Sequence, residues 1–145
     1  MLVVVDANRF LSALISKGKV FSIFLLNNIV NELDFISPEF LFFEIGRNLD
    51  VIVERSKLSS EELANVFRFI KGETDFIPFN DFSMFKDEAE KLAPHAKDVQ
   101  YFSLALASDA AIWSDEVAFK RQSKVKVFNT DEIIDLLLAK FEGTT

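Results

Sequence analysis

The chain has 145 residues, of which 50% are hydrophobic and 27% charged, as expected for one folded domain, and this composition excludes intrinsic disorder. It has no cysteine and one histidine, which excludes a disulfide scaffold, a cysteine-ligated zinc or iron–sulfur site and thiol catalysis. The net charge of −7, from 16 basic and 23 acidic residues, argues against a large basic nucleic-acid surface. Clustered carboxylates can still reach nucleic acid through a divalent cation.

Two further function classes are disfavoured by what the sequence lacks. It has no apolar run of about 18 residues and no N-terminal pattern of a signal peptide, so we expect a soluble, cytoplasmic protein without membrane association. The few glycines cannot be arranged as G-x-G-x-x-G or as a P-loop, which argues against a dinucleotide or nucleoside triphosphate enzyme.

Short apolar segments predict the strands of a parallel sheet. Leu2–Val5 is a continuous β-branched run, which is typical of a buried central strand. Further strands are predicted at Asn31–Ser37, Thr74–Phe79, Ala110–Ser114 and Lys126–Asn129. Helical stretches lie between them, so the sequence predicts one α/β domain over residues 1–145, a three-layer sandwich with a central, mostly parallel sheet.

Capping residues mark the predicted helix boundaries. Ser37–Pro38 predicts the start of a helix that continues to about residue 55, with a capping hydroxyl followed by proline at the first helical position. Ser59–Glu62 fits a capping box that opens a helix to about residue 71. Asn80 or Asp81 is expected to cap the next helix, and Thr130 the last.

Two acids are predicted at the edge of the sheet where ligands bind. Asp6 directly follows Leu2–Val5, and Asp115 follows the strand predicted at residues 110–114. Sites in parallel sheets collect outside the carboxyl ends of the strands. A single Asp at a strand end is often only a cap, but two of them at one edge are harder to explain in that way. Asn8 adds a third oxygen donor.

Three other acids have two interpretations each. Glu44 lies in a helix that is apolar nearly all round, and a buried carboxylate needs a partner, which could be a metal ion or Arg47 three residues on. Asp98 opens a predicted helix and could therefore be an N-cap. Glu116 adjoins Asp115 and either contributes to a site or faces water.

Basic residues are concentrated just after Asp115, at Lys120, Arg121, Lys124 and Lys126. They are either an ordinary polar loop or groups that hold phosphates beside an acidic site. His95, which follows a proline, is expected to be structural or exposed.

The ordered set of Asp6, Glu44, Asp98 and Asp115 resembles the PIN-domain family, and more narrowly the VapC-type toxins of type II toxin–antitoxin pairs. The resemblance covers essentially the whole chain. It is carried by Val3–Asn8, Glu44, Asp98–Ala107 and Ile112–Asp115 followed by Phe119. Two positions depart from the family pattern: Ala7 stands where a hydroxyl residue is frequent, and Val117–Ala118 where a further acid often occurs.

This resemblance implies a PIN-like fold and a metal-dependent endoribonuclease, a hydrolase that uses Mg²⁺ or Mn²⁺. It implies Asp6, Glu44, Asp98 and Asp115 as metal ligands and catalytic residues. Substrate contacts are expected from Asn8, Ser114, Glu116, Lys120 and Arg121. Converging carboxylates repel one another, and a hard divalent cation relieves that repulsion. Whether Glu44 or Asp98 accepts the proton stays open.

The expected partners are RNA, a cognate antitoxin and a second copy of the chain. Alternatives are a PIN-like RNA-processing nuclease without an antitoxin and a non-catalytic PIN-fold binding module. A phosphatase with Asp6 as nucleophile is weakened because Asn8 stands where such enzymes use a second Asp. The phenylalanines at residues 40–43 either cover a partner surface or belong to the core.

Overall fold

A five-stranded, wholly parallel sheet forms the centre of the computed structural model, which describes residues 1–15 and 18–143. The strands lie in the order β3-β2-β1-β4-β5. Their bounds are β1 Leu2–Val5, β2 Asp34–Pro38, β3 Thr74–Ile77, β4 Ala111–Trp113 and β5 Val127–Phe128. The predicted α/β fold is confirmed.

Helices connect and cover the strands. Within the described residues they are α1 Ala7–Ile15, α2 Lys19–Val30, α3 Phe40–Arg47, α4 Leu49–Ser56, α5 Ser60–Gly72, α6 Lys86–Leu92, α7 Val99–Ser108 and α8 Thr130–Gly143. Short 3₁₀ turns lie at Phe79–Asp81, Ser83–Phe85, Ala96–Asp98 and Val117–Arg121. In this part of the chain no single helix is long and apolar enough to cross a membrane. The pair of helices α1 and α2, which are bent relative to each other, is together long and apolar enough by length and composition alone.

The central strand β1 is covered on both faces, and its valines Val3, Val4 and Val5 are fully buried. On one face Phe24 of α2 packs against Phe35 and Trp113, with ring centroids 5.1 and 5.5 Å away. Right-handed crossovers place α6 and α7 on the opposite face, because the chain there returns across the sheet in the other direction. The result is a three-layer sandwich.

That return creates the crevice where a site can form. The chain moves from β1 outward to β2 and β3, and then continues on the other side of β1 with β4 and β5. The connections after β1 and β4 therefore leave the same edge in opposite directions, which is the position where ligands bind in open parallel sheets.

The second strand begins and ends later than predicted, and each difference has a local cause. The buried Asn27 side chain bonds both the N–H and the C=O of Leu33, at 2.9 and 2.8 Å, so Leu33 cannot pair in the sheet. The predicted helix start at Ser37–Pro38 is wrong, since both residues pair with β3. The ladder between β1 and β2 ends at Ile36, so the proline lies beyond it.

The helix predicted to reach residue 55 is interrupted at Asn48, which separates α3 from α4. Its side-chain amide donates to the carbonyl oxygen of Glu44 at 2.7 Å. This bond competes with the helical pattern at that point.

Of the predicted caps, only the capping box of Ser59 and Glu62 is confirmed. Asn80 and Asp81 belong to a 3₁₀ turn, and neither side chain caps α6, which begins at Lys86. The last helix is capped by Asn129, whose Oδ1 accepts from the N–H of Glu132 while the Glu132 carboxylate accepts from the N–H of Asn129. The hydroxyl of Thr130 bonds elsewhere.

Candidate active site

The carboxyl ends of β1 and β4 meet at Asp6 and Ser114. Asp6 is 4% exposed, and its backbone N–H continues the ladder by donating to the carbonyl of Trp113 at 3.1 Å. Ser114 Oγ donates to Asp6 Oδ2 at 2.9 Å and accepts from the N–H of Glu116 at 3.1 Å. One hydroxyl therefore fixes both the first acid and the backbone of the loop after β4.

Asp98 reaches the same crevice from the 3₁₀ turn before α7. It occupies the N-cap position, but its side chain makes no cap hydrogen bond. The residue is 4% exposed, and Oδ2 is buried with no hydrogen-bond partner among the described residues. Buried carboxylate oxygens are normally bonded, so the cap interpretation does not account for this side chain.

Glu44 is held by a tyrosine rather than by an arginine. Tyr101 Oη, on the buried side of α7, donates to Glu44 Oε1 at 2.6 Å. Arg47 lies over the ring of Phe43, 5.8 Å from its centroid, and makes no ion pair with Glu44 in the described chain. Glu44 is therefore not paired with Arg47, three residues on, but is hydrogen-bonded to Tyr101, which lies 57 positions away in the chain.

A fourth acid and the single histidine complete the rim of the crevice. Ligand atoms of His95, Asp98 and Glu116 all lie within 4.8 Å of one another, with His95 Nε2 3.5 Å from Glu116 Oε1. Ligands on one ion at about 2.1 Å are separated by comparable distances. The sequence did not predict that His95 lies beside these acids, because a histidine next to a proline carries no local signal of a metal or substrate site.

The ionisation of these acids is perturbed. Burial, and then the neighbouring charge of Asp98, raises the pKa of Asp6 to about 6, although the Ser114 hydrogen bond opposes the shift. Burial and then the charge of Glu116 raise the pKa of Asp98 to about 6. Burial raises the pKa of Glu44, against the Tyr101 hydrogen bond and the charge of Lys97. The loss of solvation on burial thus outweighs the partners that stabilise the charge of these carboxylates.

Asp115 is placed differently from the other predicted acids. Its Oδ2 accepts from Arg9 Nη1 and from Thr130 Oγ1, both at 2.7 Å, and its Oδ1 accepts from the N–H of Thr130 at 2.6 Å. The carboxylate therefore joins α1 to the start of α8. Of the two adjacent acids after β4, Glu116 is the one grouped with Asp98.

The expected substrate-binding residues are spread around this edge. Asn8 is exposed and lines a cleft between α1 and α4. Lys120 pairs with Glu132, and Lys124 with Glu88 at 2.9 Å. Arg121 is exposed and makes no ion pair within the described residues. Much of the predicted basic cluster is thus neutralised locally, and Lys97 is the cation whose charge acts on Glu44 and Asp98.

The donor set of the crevice fits a hard divalent cation. It offers carboxylate oxygens of Asp6, Glu44, Asp98 and Glu116, and such ligands suit Mg²⁺ and Mn²⁺. The unpartnered Oδ2 of Asp98 is the specific observation in favour of a bound ion. A cation at this position would replace the missing hydrogen bond and relieve the repulsion among the acids.

Comparisons with known proteins agree with this architecture. Residues 4–137 match the family described as the PIN domain. A similar solved structure is the crystal structure of VapBC2 from Rickettsia felis bound to a DNA fragment from their promoter, with a TM-score of 0.64 and 14% identity. The match covers 89% of this chain and 98% of that chain, and at this identity it shows the fold. No curated protein matches the sequence significantly.

Proposed function

This chain belongs to the PIN-domain family, whose members are generally nucleases, and we propose that it is an endoribonuclease that hydrolyses RNA phosphodiester bonds with Mg²⁺ or Mn²⁺. The observation that carries the proposal is the buried, unpartnered carboxylate oxygen of Asp98 beside Asp6 and Glu116. The raised pKa values of Asp6 and Asp98 are typical of acids at functional sites.

The residues around the crevice have separate roles in the proposed reaction. Asp6, Asp98 and Glu116 would hold the ion, which when bound supplies an activated water and offsets phosphate charge. Ser114 fixes Asp6. Tyr101 occupies Oε1 of Glu44, which leaves Oε2 to accept the proton of the attacking water. Asp115 is given no catalytic role, since Arg9 and Thr130 bond both of its oxygens.

Positive side chains near the acids would bind the flanking phosphates of the substrate. Lys97 precedes Asp98, and its charge already acts on that carboxylate. Arg121 is exposed after β4, in the segment where the sequence predicted phosphate contacts. Lys97 lies beside the acidic crevice and would help the chain bind an anionic backbone despite its net negative charge.

Cleavage of labelled single-stranded RNA tests this proposal. The wild-type chain with Mn²⁺ or Mg²⁺ is compared with Asp6→Asn and with the matched control Asp109→Asn, an exposed turn residue at φ 50° where Asn is equally well accommodated. We expect metal-dependent cleavage that is lost in Asp6→Asn and retained in the control. Equal cleavage by all three proteins would identify a contaminant and exclude Asp6 from the site.

A protein antitoxin is the proposed partner, supported by the fold shared with VapBC2 and by an apolar groove of about 320 Å³ between α4 and α5. Leu49 and Val53, which line it, are 52% and 53% exposed, and grooves of this kind bind amphipathic helices. Controlled expression tests the toxin role. Wild type should arrest growth and Asp6→Asn should not. Cleavage in vitro without any arrest would favour an RNA-processing nuclease instead.

Self-association is proposed through the outer surface of α3, where Phe43 is 58% exposed and stacks on Phe40 at 5.6 Å. Phe40 is partly buried, whereas the neighbouring Phe42 is 36% exposed. Together with Phe43 it gives α3 an exposed apolar surface, which is typical of a contact site. Sedimentation equilibrium should give the mass of two chains, and Phe43→Ser should shift it toward one. A single-chain mass for the wild type would contradict this part of the proposal.

A further inference from the structure

A second cavity, of about 550 Å³, lies between α6 and α7 next to the acidic crevice. Its volume is in the range of small-ligand sites. We infer that it binds one base of the nucleic acid whose backbone lies at the acids, and therefore determines which sequence is cut. The inference rests on the proposed function, since it names a determinant of the substrate for the same site.

One buried hydroxyl that lines the cavity, that of Ser103, has no hydrogen-bond partner among the described residues. Ser103 is 2% exposed. Serine hydroxyls inside helices usually bond a carbonyl one turn back, and a buried hydroxyl left unbonded costs free energy. A ligand atom in the cavity would complete this bond.

Other lining residues match the chemistry of a planar base. Gln100 lies one turn before Ser103 on α7 and lines the same cavity, and its amide both donates and accepts, as base edges do. Phe79 is 36% exposed, and its ring is supported by the buried Phe82 at 5.4 Å. Stacking on an aromatic ring combined with edge hydrogen bonds is how proteins recognise unpaired RNA bases.

The charge of the cavity favours an uncharged ligand group over a phosphate. Lys86 lines it, but lies 3.8 Å from Glu90, which lines it too. Ala93, Pro94 and Val99 supply apolar walls. A phosphate would find no surplus positive charge among these groups, whereas a base fits both the apolar walls and the few polar ones.

His95 connects the cavity to the acids. It lines the cavity, and its Nε2 lies 3.5 Å from Glu116 Oε1. A strand whose phosphate is held at Asp98 and Glu116 could therefore place a neighbouring base in the cavity. Sequence preference should be strongest at one fixed position beside the cut.

The test compares cleavage of a randomised RNA pool by wild type, Ser103→Ala, Gln100→Leu and Phe79→Leu, with Phe141→Leu, at a position 41% exposed on α8, as the matched control. Wild type should prefer particular bases at one position. Each cavity variant should lower kcat/KM for the preferred base at least about fivefold, the weaker end of stacking energies, while the control keeps it. Unchanged preference in all three cavity variants would overturn the inference and leave the nuclease proposal intact.

Binding separates the two proposals if no cleavage occurs. In the Asp98→Asn background, fluorescence anisotropy with labelled oligo(A), oligo(C), oligo(G) and oligo(U) should give unequal affinities that become equal in Ser103→Ala and Phe79→Leu. Equal affinities for the four oligonucleotides in the parent would overturn the inference. Ser103→Ala should not lower the free energy of unfolding, because it removes an unbonded hydroxyl, so weaker binding cannot be ascribed to misfolding.

Discussion

Two acids at the same edge of the sheet, Asp115 and Asp98, have opposite environments. Arg9 and Thr130 bond both oxygens of Asp115, whereas Oδ2 of Asp98 is buried without a partner in the described chain. Position at this edge of the sheet therefore does not distinguish a structural acid from a functional one. What distinguishes them is whether the protein itself satisfies the carboxylate.

The two acids should also have opposite effects on stability. Asp115 joins α1 to α8 through charge-assisted hydrogen bonds, which stabilise the fold. Burial and the charge of Glu116 raise the pKa of Asp98 to about 6, so its ionised form costs stability at neutral pH. Active sites commonly retain such costs because function requires the group.

The largest expected effect is on activity and distinguishes the adjacent acids after β4. Glu116→Gln should lower metal-dependent RNA cleavage at least about 100-fold, as expected when a catalytic carboxylate loses its charge. Asp115→Asn should change the rate less than about tenfold, because position 115 lies outside the metal-binding group. Initial rates at saturating Mn²⁺ measure both. A larger loss in Asp115→Asn would reverse the assignment.

Asp115→Ala should lower the free energy of unfolding by about 2–3 kcal/mol, the range for hydrogen bonds to charged groups. It removes the acceptor for the start of α8 and leaves Arg9, whose side chain is 16% exposed, without its partner. Urea denaturation measures the change. The control is Asp109→Ala in the exposed turn after α7. Equal losses in the two variants would show that the Asp115 bonds contribute little.

Tyr101→Phe should shift the pH dependence of cleavage rather than abolish it. The tyrosine hydroxyl favours the ionised form of Glu44, so its removal should raise the pKa of that carboxyl further. The acid limb of the rate profile should move to higher pH, so the loss of activity should be larger on that limb than at pH 8. An unshifted profile would mean that the ionisation of Glu44 does not control the rate.

The smallest expected effect is on stability without metal. Asp6 and Asp98 have pKa values of about 6 against an ordinary 3.8, so between these values the folded chain binds more protons than the unfolded chain. Its free energy of unfolding should therefore fall as pH rises from about 4 to about 6. Asp98→Asn should reduce this fall, because it removes one of the two carboxyl groups that take up a proton in this range. An identical pH dependence in wild type and variant would contradict the shift.

Local patterns were sufficient for much of the fold. The valine run of β1 and the capping box at Ser59 depend on neighbouring residues, and both are confirmed. The start of β2 depended on Asn27, six residues before the backbone groups it bonds at Leu33. The cap of α8 differed because Thr130 bonds Asp115, fifteen residues earlier. In both of these cases a side chain from another element made the bond that decided the outcome.

The candidate site shows the same division. The sequence singled out Asp6 because it ends a buried strand and Glu44 because it lies among apolar residues, and the resemblance to the PIN domain added Asp98. It could not identify Tyr101 as the partner of Glu44, since the two lie 57 positions apart. It put Asp115 rather than Glu116 among the metal ligands, because the choice depends on the turn after β4 and on the distant helix α8.

Calorimetric titration with Mn²⁺ tests the central claim most directly, because it measures the metal site without relying on activity. Wild type, Glu116→Gln and Asp115→Asn are compared at about pH 7.5, above the raised pKa values of the acids, after urea denaturation has verified that each is folded. We expect Glu116→Gln to lose most of the affinity for Mn²⁺ and Asp115→Asn to retain it. Retained affinity in Glu116→Gln together with lost affinity in Asp115→Asn would contradict the assignment of Glu116 to the metal site.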